Sequence, residues 1–128
     1  MKKKIILTIT LLTFFTIMLS GCQNKTFSLD DGIYMLNQNG NEVTIPYILI
    51  NEGGFTIVMN MAVSYQPSGK IVINDNEVIM ESKFADETYT WVFTLTDNNQ
   101  MTFLLNRSNV PDGSREWNNG MVFYLKEE

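Results

Sequence analysis

From Gly32 onward, apolar and polar residues alternate with a period of two, and most apolar positions are aromatic or β-branched. Clusters of Asn, Asp and Gly interrupt the alternation at the spacing expected of a domain built from short strands. The pattern predicts eight strands, over 32–36, 42–50, 54–61, 69–74, 77–82, 88–96, 100–106 and 120–126. The sixth shows the logic best. Tyr89, Trp91, Phe93 and Leu95 share one face and Thr88, Thr90, Thr94 and Thr96 the other, so one side meets a core and the other water. Asn37-Gln38-Asn39-Gly40, Glu52-Gly53-Gly54, Asp75-Asn76 and Asp97-Asn98-Asn99 supply residues that tolerate the positive φ of tight hairpins.

After Gly32 no stretch sustains a helical period, although Ser114-Arg115-Glu116-Trp117 could form one helical turn. Eight short antiparallel strands must deal with their edges, and closure does so most completely. The expected fold is therefore all-β, a small antiparallel eight-stranded, lipocalin-like barrel, with a two-sheet β-sandwich as the alternative. Phe55, Met59, Met61, Trp91, Phe93, Met101 and Phe103 offer much bulk to fill such a barrel, whose interior is just wide enough for side chains or one small ligand.

Strand 42–50 departs from simple alternation. Val43, Ile45, Tyr47 and Leu49 would share one face, yet Ile48 and Ile50 place apolar groups on the other, together with Pro46. Either the domain covers that second face itself, or Pro46, Ile48 and Ile50 form an interaction face. Pro46 also marks an edge or a bulge, because proline has no N–H for a ladder.

The segment before the strands differs in kind. Lys2, Lys3 and Lys4 precede an uncharged apolar run from Ile5 to Leu19, followed by the small residues Ser20 and Gly21, which is the layout of a secretory signal. The run is short of the roughly 20 residues that span a bilayer comfortably. Leu19-Ser20-Gly21-Cys22 resembles the lipobox of bacterial lipoproteins. That resemblance implies cleavage between Gly21 and Cys22 and a diacylglycerol thioether on the Cys22 thiol. Acyl chains contribute about 0.8 kcal/mol per buried CH₂, and two of them anchor stably where one does not. The expected organisation is a signal peptide over 1–21, a lipidated N-terminus and tether over 22–31, and a β-barrel domain over 32–128, held on the extracytoplasmic face of the cell membrane. Abundant Asn and Ile point to an AT-rich, Gram-positive source.

Cleavage would remove three of the nine basic residues and none of the fourteen acidic ones, leaving a net charge of −8 before terminal groups. Such a surface repels nucleic acid and tolerates cations or cationic peptides. The chain has no histidine and one cysteine, which removes a Ser/His/Asp or Cys/His centre and any intramolecular disulfide. A carboxylate pair among Asp30, Asp31, Asp86, Glu87, Asp112 and Glu116 is the remaining hydrolytic option, though all sit beside turn residues. Asn74-Asp75-Asn76-Glu77 and Asp97-Asn98-Asn99 are too sparse for a calcium loop and read as hairpin turns. No cofactor or metal site is expected. Trp91 and Trp117 could stack on a sugar, but Trp91 lies on an apolar strand face and reads as core. Asn24-Lys25-Thr26 and Asn106-Arg107-Ser108 match the glycosylation sequon by chance.

Tyr65-Gln66-Pro67-Ser68-Gly69-Lys70, Tyr89-Thr90-Trp91-Val92-Phe93, Met101-Thr102-Phe103 and Val110-Pro111-Asp112-Gly113, with Asp-Asn turns between strands, resemble a small extracytoplasmic β-domain of Gram-positive bacteria. Such domains occur as free-standing lipoproteins and as the outer tail of some membrane zinc peptidases related to β-lactam sensors. The resemblance spans roughly Gly32 to Tyr124 and carries no catalytic residue. In the family Pro-Asp-Gly passes almost straight into the last strand, whereas here residues 114–120 intervene.

Three roles follow as expectations. The first is a non-enzymatic binding or accessory role in the cell envelope, toward a protein partner or a small apolar ligand. The second is an immunity or resistance lipoprotein that intercepts cationic peptides, and the third a carboxylate hydrolase.

Overall fold

The computed structural model describes residues 25–59, 65–112, 114 and 117–127. Its strands are β1 (Gly32–Gln38), β2 (Asn41–Asn51), β3 (Gly54–Val58), β4 (Ser68–Asn74), β5 (Glu77–Phe84), β6 (Glu87–Asp97), β7 (Gln100–Phe103) and β8 (Val122–Leu125). Each pairs antiparallel with the next, and β8 returns to β1, so the sheet closes into an eight-stranded up-and-down barrel. Closure excludes the sandwich alternative. Among the described residues the only helical piece is a 3₁₀ turn over Leu105–Arg107, and no helix is long and apolar enough to cross a membrane.

The hairpins form where the sequence places turn residues. Asn39, Glu52, Asp75 and Asn99 all adopt positive φ, as do Gly40 and Gly53 beside them. Asn37 Oδ1 accepts from the Gly40 N–H at 2.9 Å and so closes the first hairpin locally. Because the strands run up and down, the two ends of the barrel are built from different parts of the chain. The lower end carries residues 25–31 and the turns at 52–53, 75–76 and 98–99. The upper end carries the turns at 39–40 and 85–86 and the long connection from Leu104 to Met121.

Strand β7 stops at Phe103, short of the expected 106, because the chain turns away at Leu105–Arg107. Ser108 replaces the missing ladder. Its Oγ accepts from the Val92 N–H and donates to Leu104 O, both at 2.8 Å, and Asn109 then pairs with Thr90. Asn60 and Met61 of the expected third strand lie outside the described residues, as do Arg115 and Glu116 of the expected helical turn. Across that turn the Trp117 N–H donates to Ser114 O at 3.1 Å.

The barrel axis is filled. Trp91, Tyr34, Phe93, Phe103, Phe123, Ile48, Ile57, Met80 and Met101 are buried without measurable exposure. Trp117 enters from the upper end, stacked on Phe123 at a centroid distance of 5.4 Å and edge-on to Phe103 at 4.9 Å. Trp117, from the connection between β7 and β8, thus supplies the ring that fills the upper interior. Aromatic pairs of this geometry add about 0.5–1.5 kcal/mol each beyond area burial. Trp117→Ala should therefore cost about 3–5 kcal/mol of stability and Trp117→Phe distinctly less. Urea titration of residues 25–128 would show a lower midpoint for both variants, the alanine variant lowest.

Candidate functional site

Cys22 and Gly21, the expected lipid attachment and cleavage residues, lie outside the described residues. Pro46, Ile48 and Ile50 do not form an outer interaction face. All three are buried, Ile48 at 0% and Ile50 at 3% exposure, and both isoleucines belong to the barrel core. The domain covers that face itself.

The reversal has a local cause in register. Met35 is opposite Tyr47, but the next residue, Leu36, is opposite Val43, so Thr44, Ile45 and Pro46 are looped out of the β1–β2 ladder. An odd number of extra residues switches which alternate positions face inward. Val43 packs against the core opposite Leu36, whereas farther along β2 the even positions Ile48 and Ile50 point inward. Pro46 sits in the bulge, one residue before the β2–β3 ladder begins at Tyr47, where its missing N–H costs no hydrogen bond.

Tyr47 and Leu49 consequently face outward, and they are not alone there. Ile33 is paired with Leu49, Met35 with Tyr47 and Tyr124, and Val58 with Tyr47. The outer surface of β8, β1, β2 and β3 therefore carries a continuous apolar band. Met35 and Val58 are shielded within it, at 7% and 9% exposure, while Ile33 and Leu49 are each 41% exposed. At the upper end this wall adjoins a depression of about 430 Å³ lined by Val43, Ile45, Pro46, Met59 and Met121. The apolar excess read in strand 42–50 is thus real, but it stands on the face opposite to the one assigned to it. The signal that finds it is the pairing of Ile33 with Leu49, which needs the bulge to be known.

The lower end is held by polar contacts that the sequence did not reveal. Residues 27–31, expected as part of a tether, are docked across the barrel, with Phe27 and Leu29 packed against the core. The Asp30 N–H donates to Asn99 Oδ1 at 2.8 Å, Asn99 Nδ2 donates to Asp30 Oδ2 at 2.7 Å, and the Asn99 N–H donates to Ser28 O at 3.2 Å. The Tyr34 hydroxyl lies 2.9 Å from both Asp30 O and Asn99 Oδ1, two acceptors for its one proton. Farther along, the Asp31 carboxylate accepts from the Glu52 N–H at 3.1–3.2 Å. Lys25 pairs with Asp97 at 3.6 Å and lies over the Phe27 ring at 5.0 Å.

Of the carboxylates weighed for hydrolysis, Asp30, Asp31, Asp86, Glu87 and Asp112 are exposed, and Glu116 lies outside the described residues. Asp30 and Asp31 are at the lower end; the Asp86–Glu87 turn is at the upper end, where Glu87 accepts from the Tyr89 hydroxyl and raises its pKa. No group of three or more His, Cys, Asp or Glu side chains that could hold a metal ion occurs among the described residues. Trp91 and Trp117 are both buried in the core, so neither ring is presented at the surface. Comparison with known proteins gives no match: no family model, curated protein or solved structure aligns significantly with the chain.

Burial, followed by the nearby Asp30 charge, pushes the Tyr34 hydroxyl well above its ordinary pKa of 10.0. Above pH 10 the unfolded chain therefore releases a proton that the native state keeps, and stability falls as pH rises through this range. Tyr34→Phe removes that pH dependence. The melting temperature of the parent should drop further than that of Tyr34→Phe between about pH 9 and pH 11, as followed by circular dichroism.

Proposed function

We propose that the chain is a lipoprotein held through Cys22 at the outer face of the cytoplasmic membrane, and that its barrel is a non-enzymatic binding or accessory module for another envelope protein. The resemblance of Leu19-Ser20-Gly21-Cys22 to a lipobox, and of the later segments to extracytoplasmic β-domains, supports the location. The exposed apolar band on the outside of β1 and β2 carries the binding role. An exposed apolar pair flanked by shielded neighbours is the kind of surface that a partner covers. The filled axis argues for a protein rather than a small apolar ligand, since the space a ligand would take is occupied by Trp91, Phe93 and Trp117. Interception of cationic peptides rests on net charge alone, and the exposed acids are spread over both ends of the barrel.

A photo-crosslinking residue at Leu49, in cells producing the full chain, should give a discrete adduct with an envelope protein. The same residue at Thr96, exposed on the opposite wall, should not. Cys22→Ser should abolish incorporation of a palmitate label and reduce the adduct. Equal adduct patterns from Leu49 and Thr96 would remove the apolar band as the binding surface.

A further inference from the structure

We infer that the lower end of the barrel rests directly on the bilayer surface, with no stalk between anchor and domain. This rests on the proposal that Cys22 carries the lipid, and it adds an orientation. Docking of residues 27–31 leaves only Gln23 and Asn24 between Cys22 and Lys25. Lys25 itself lies at the lower end, beside Asp97 and over the Phe27 ring. Three Cα-to-Cα steps reach at most about 11 Å in any conformation. Lys25, on the lower rim, therefore stays within that distance of the acylated residue.

The barrel then stands away from the membrane. Strand β6, with 11 residues, runs from the upper to the lower end. At about 3.3 Å per residue and a strand tilt near 40°, its ends differ in height by about 25 Å. The turn at 85–86 and the depression beside Pro46 and Met59 face outward, and the apolar band of β1 and β2 stands roughly upright on the side wall.

The lower end also has surface suited to a lipid interface. Phe27 and Ile73 line a depression of about 720 Å³ together with Lys25 and Thr26. Ile33 and Leu125 line another of about 610 Å³ beside Lys126. Ile73 is 40% exposed and Ile33 41%. Between these apolar groups stand the exposed acids Asp30, Asp31, Glu52, Asp75, Asp97 and Glu127. A rim that rests on the bilayer lies within the Debye length of about 8 Å at physiological salt, so it senses headgroup charge. Zwitterionic lipid is the surface it fits, because anionic headgroups repel it.

The test uses the full-length lipidated chain, in which the thioether consumes the only native thiol. Asn74→Cys labels the lower end and Asp86→Cys the upper. Each carries a fluorophore in phosphatidylcholine vesicles containing a headgroup-linked nitroxide quencher. The expected result is a large loss of emission from the label at position 74 and little from the label at 86. A long Gly/Ser insertion between Asn24 and Lys25 should restore most of the emission at 74. Equal quenching at both positions, or stronger quenching at 86, in protein whose N-terminal peptide mass shows the diacylglycerol, would overturn the orientation and leave the anchor standing. A Cys22 without lipid would overturn both.

Discussion

Closure of the sheet by the β1–β8 ladder is the constraint on which everything else depends. Only four residue pairs make that seam, Tyr34–Leu125 through Asn37–Val122. Without it β1 and β8 would present bare N–H and C=O groups, and the aromatic side chains they enclose would meet water. The seam is short because β8 is short, and β8 is positioned from both sides by what fills the barrel. Phe123 packs on Phe93 and Trp117, so side-chain packing and backbone closure hold one another in place. With Cys22 the one cysteine of the chain, no intramolecular disulfide can substitute for this mutual support.

The parts of the fold that were legible in the sequence are those governed by nearest neighbours along the chain. Alternation in β6 identified Trp91, Phe93 and Leu95 as core, and all three are buried. Asp75 and Asn99 identified turns, and both adopt the left-handed conformation that their short polar side chains tolerate. Closure itself was accessible from strand number and the need to hide edges, a physical argument that requires no knowledge of which residue pairs with which.

The misread parts depend on partners distant in sequence. Period-two reading assumes that each strand keeps one register throughout, and three looped-out residues in β2 break that assumption in a way composition does not announce. Pro46 signals that something is irregular, and the bulge is there, but proline cannot say how many residues are displaced. A tryptophan in an Asn- and Gly-rich connection has no periodicity to declare it, so Trp117 gave no sign that it fills the barrel. The docked segment 27–31 looked like a tether because it is brief and largely polar. Its partners, Asn98 and Asn99, lie about 70 positions away and were already accounted for as turn residues.

That distance also sets an order of events. Asp30 and Asn99 are separated by 69 positions, and Asn99 is in place only after the β6–β7 hairpin has formed. Closure of that span must follow synthesis of most of the domain. Residues 27–31 therefore remain undocked while the later strands are still forming. Once the hairpin arrives, the same stretch is drawn onto the barrel. A segment early in the sequence thus becomes one of the last to join the folded body.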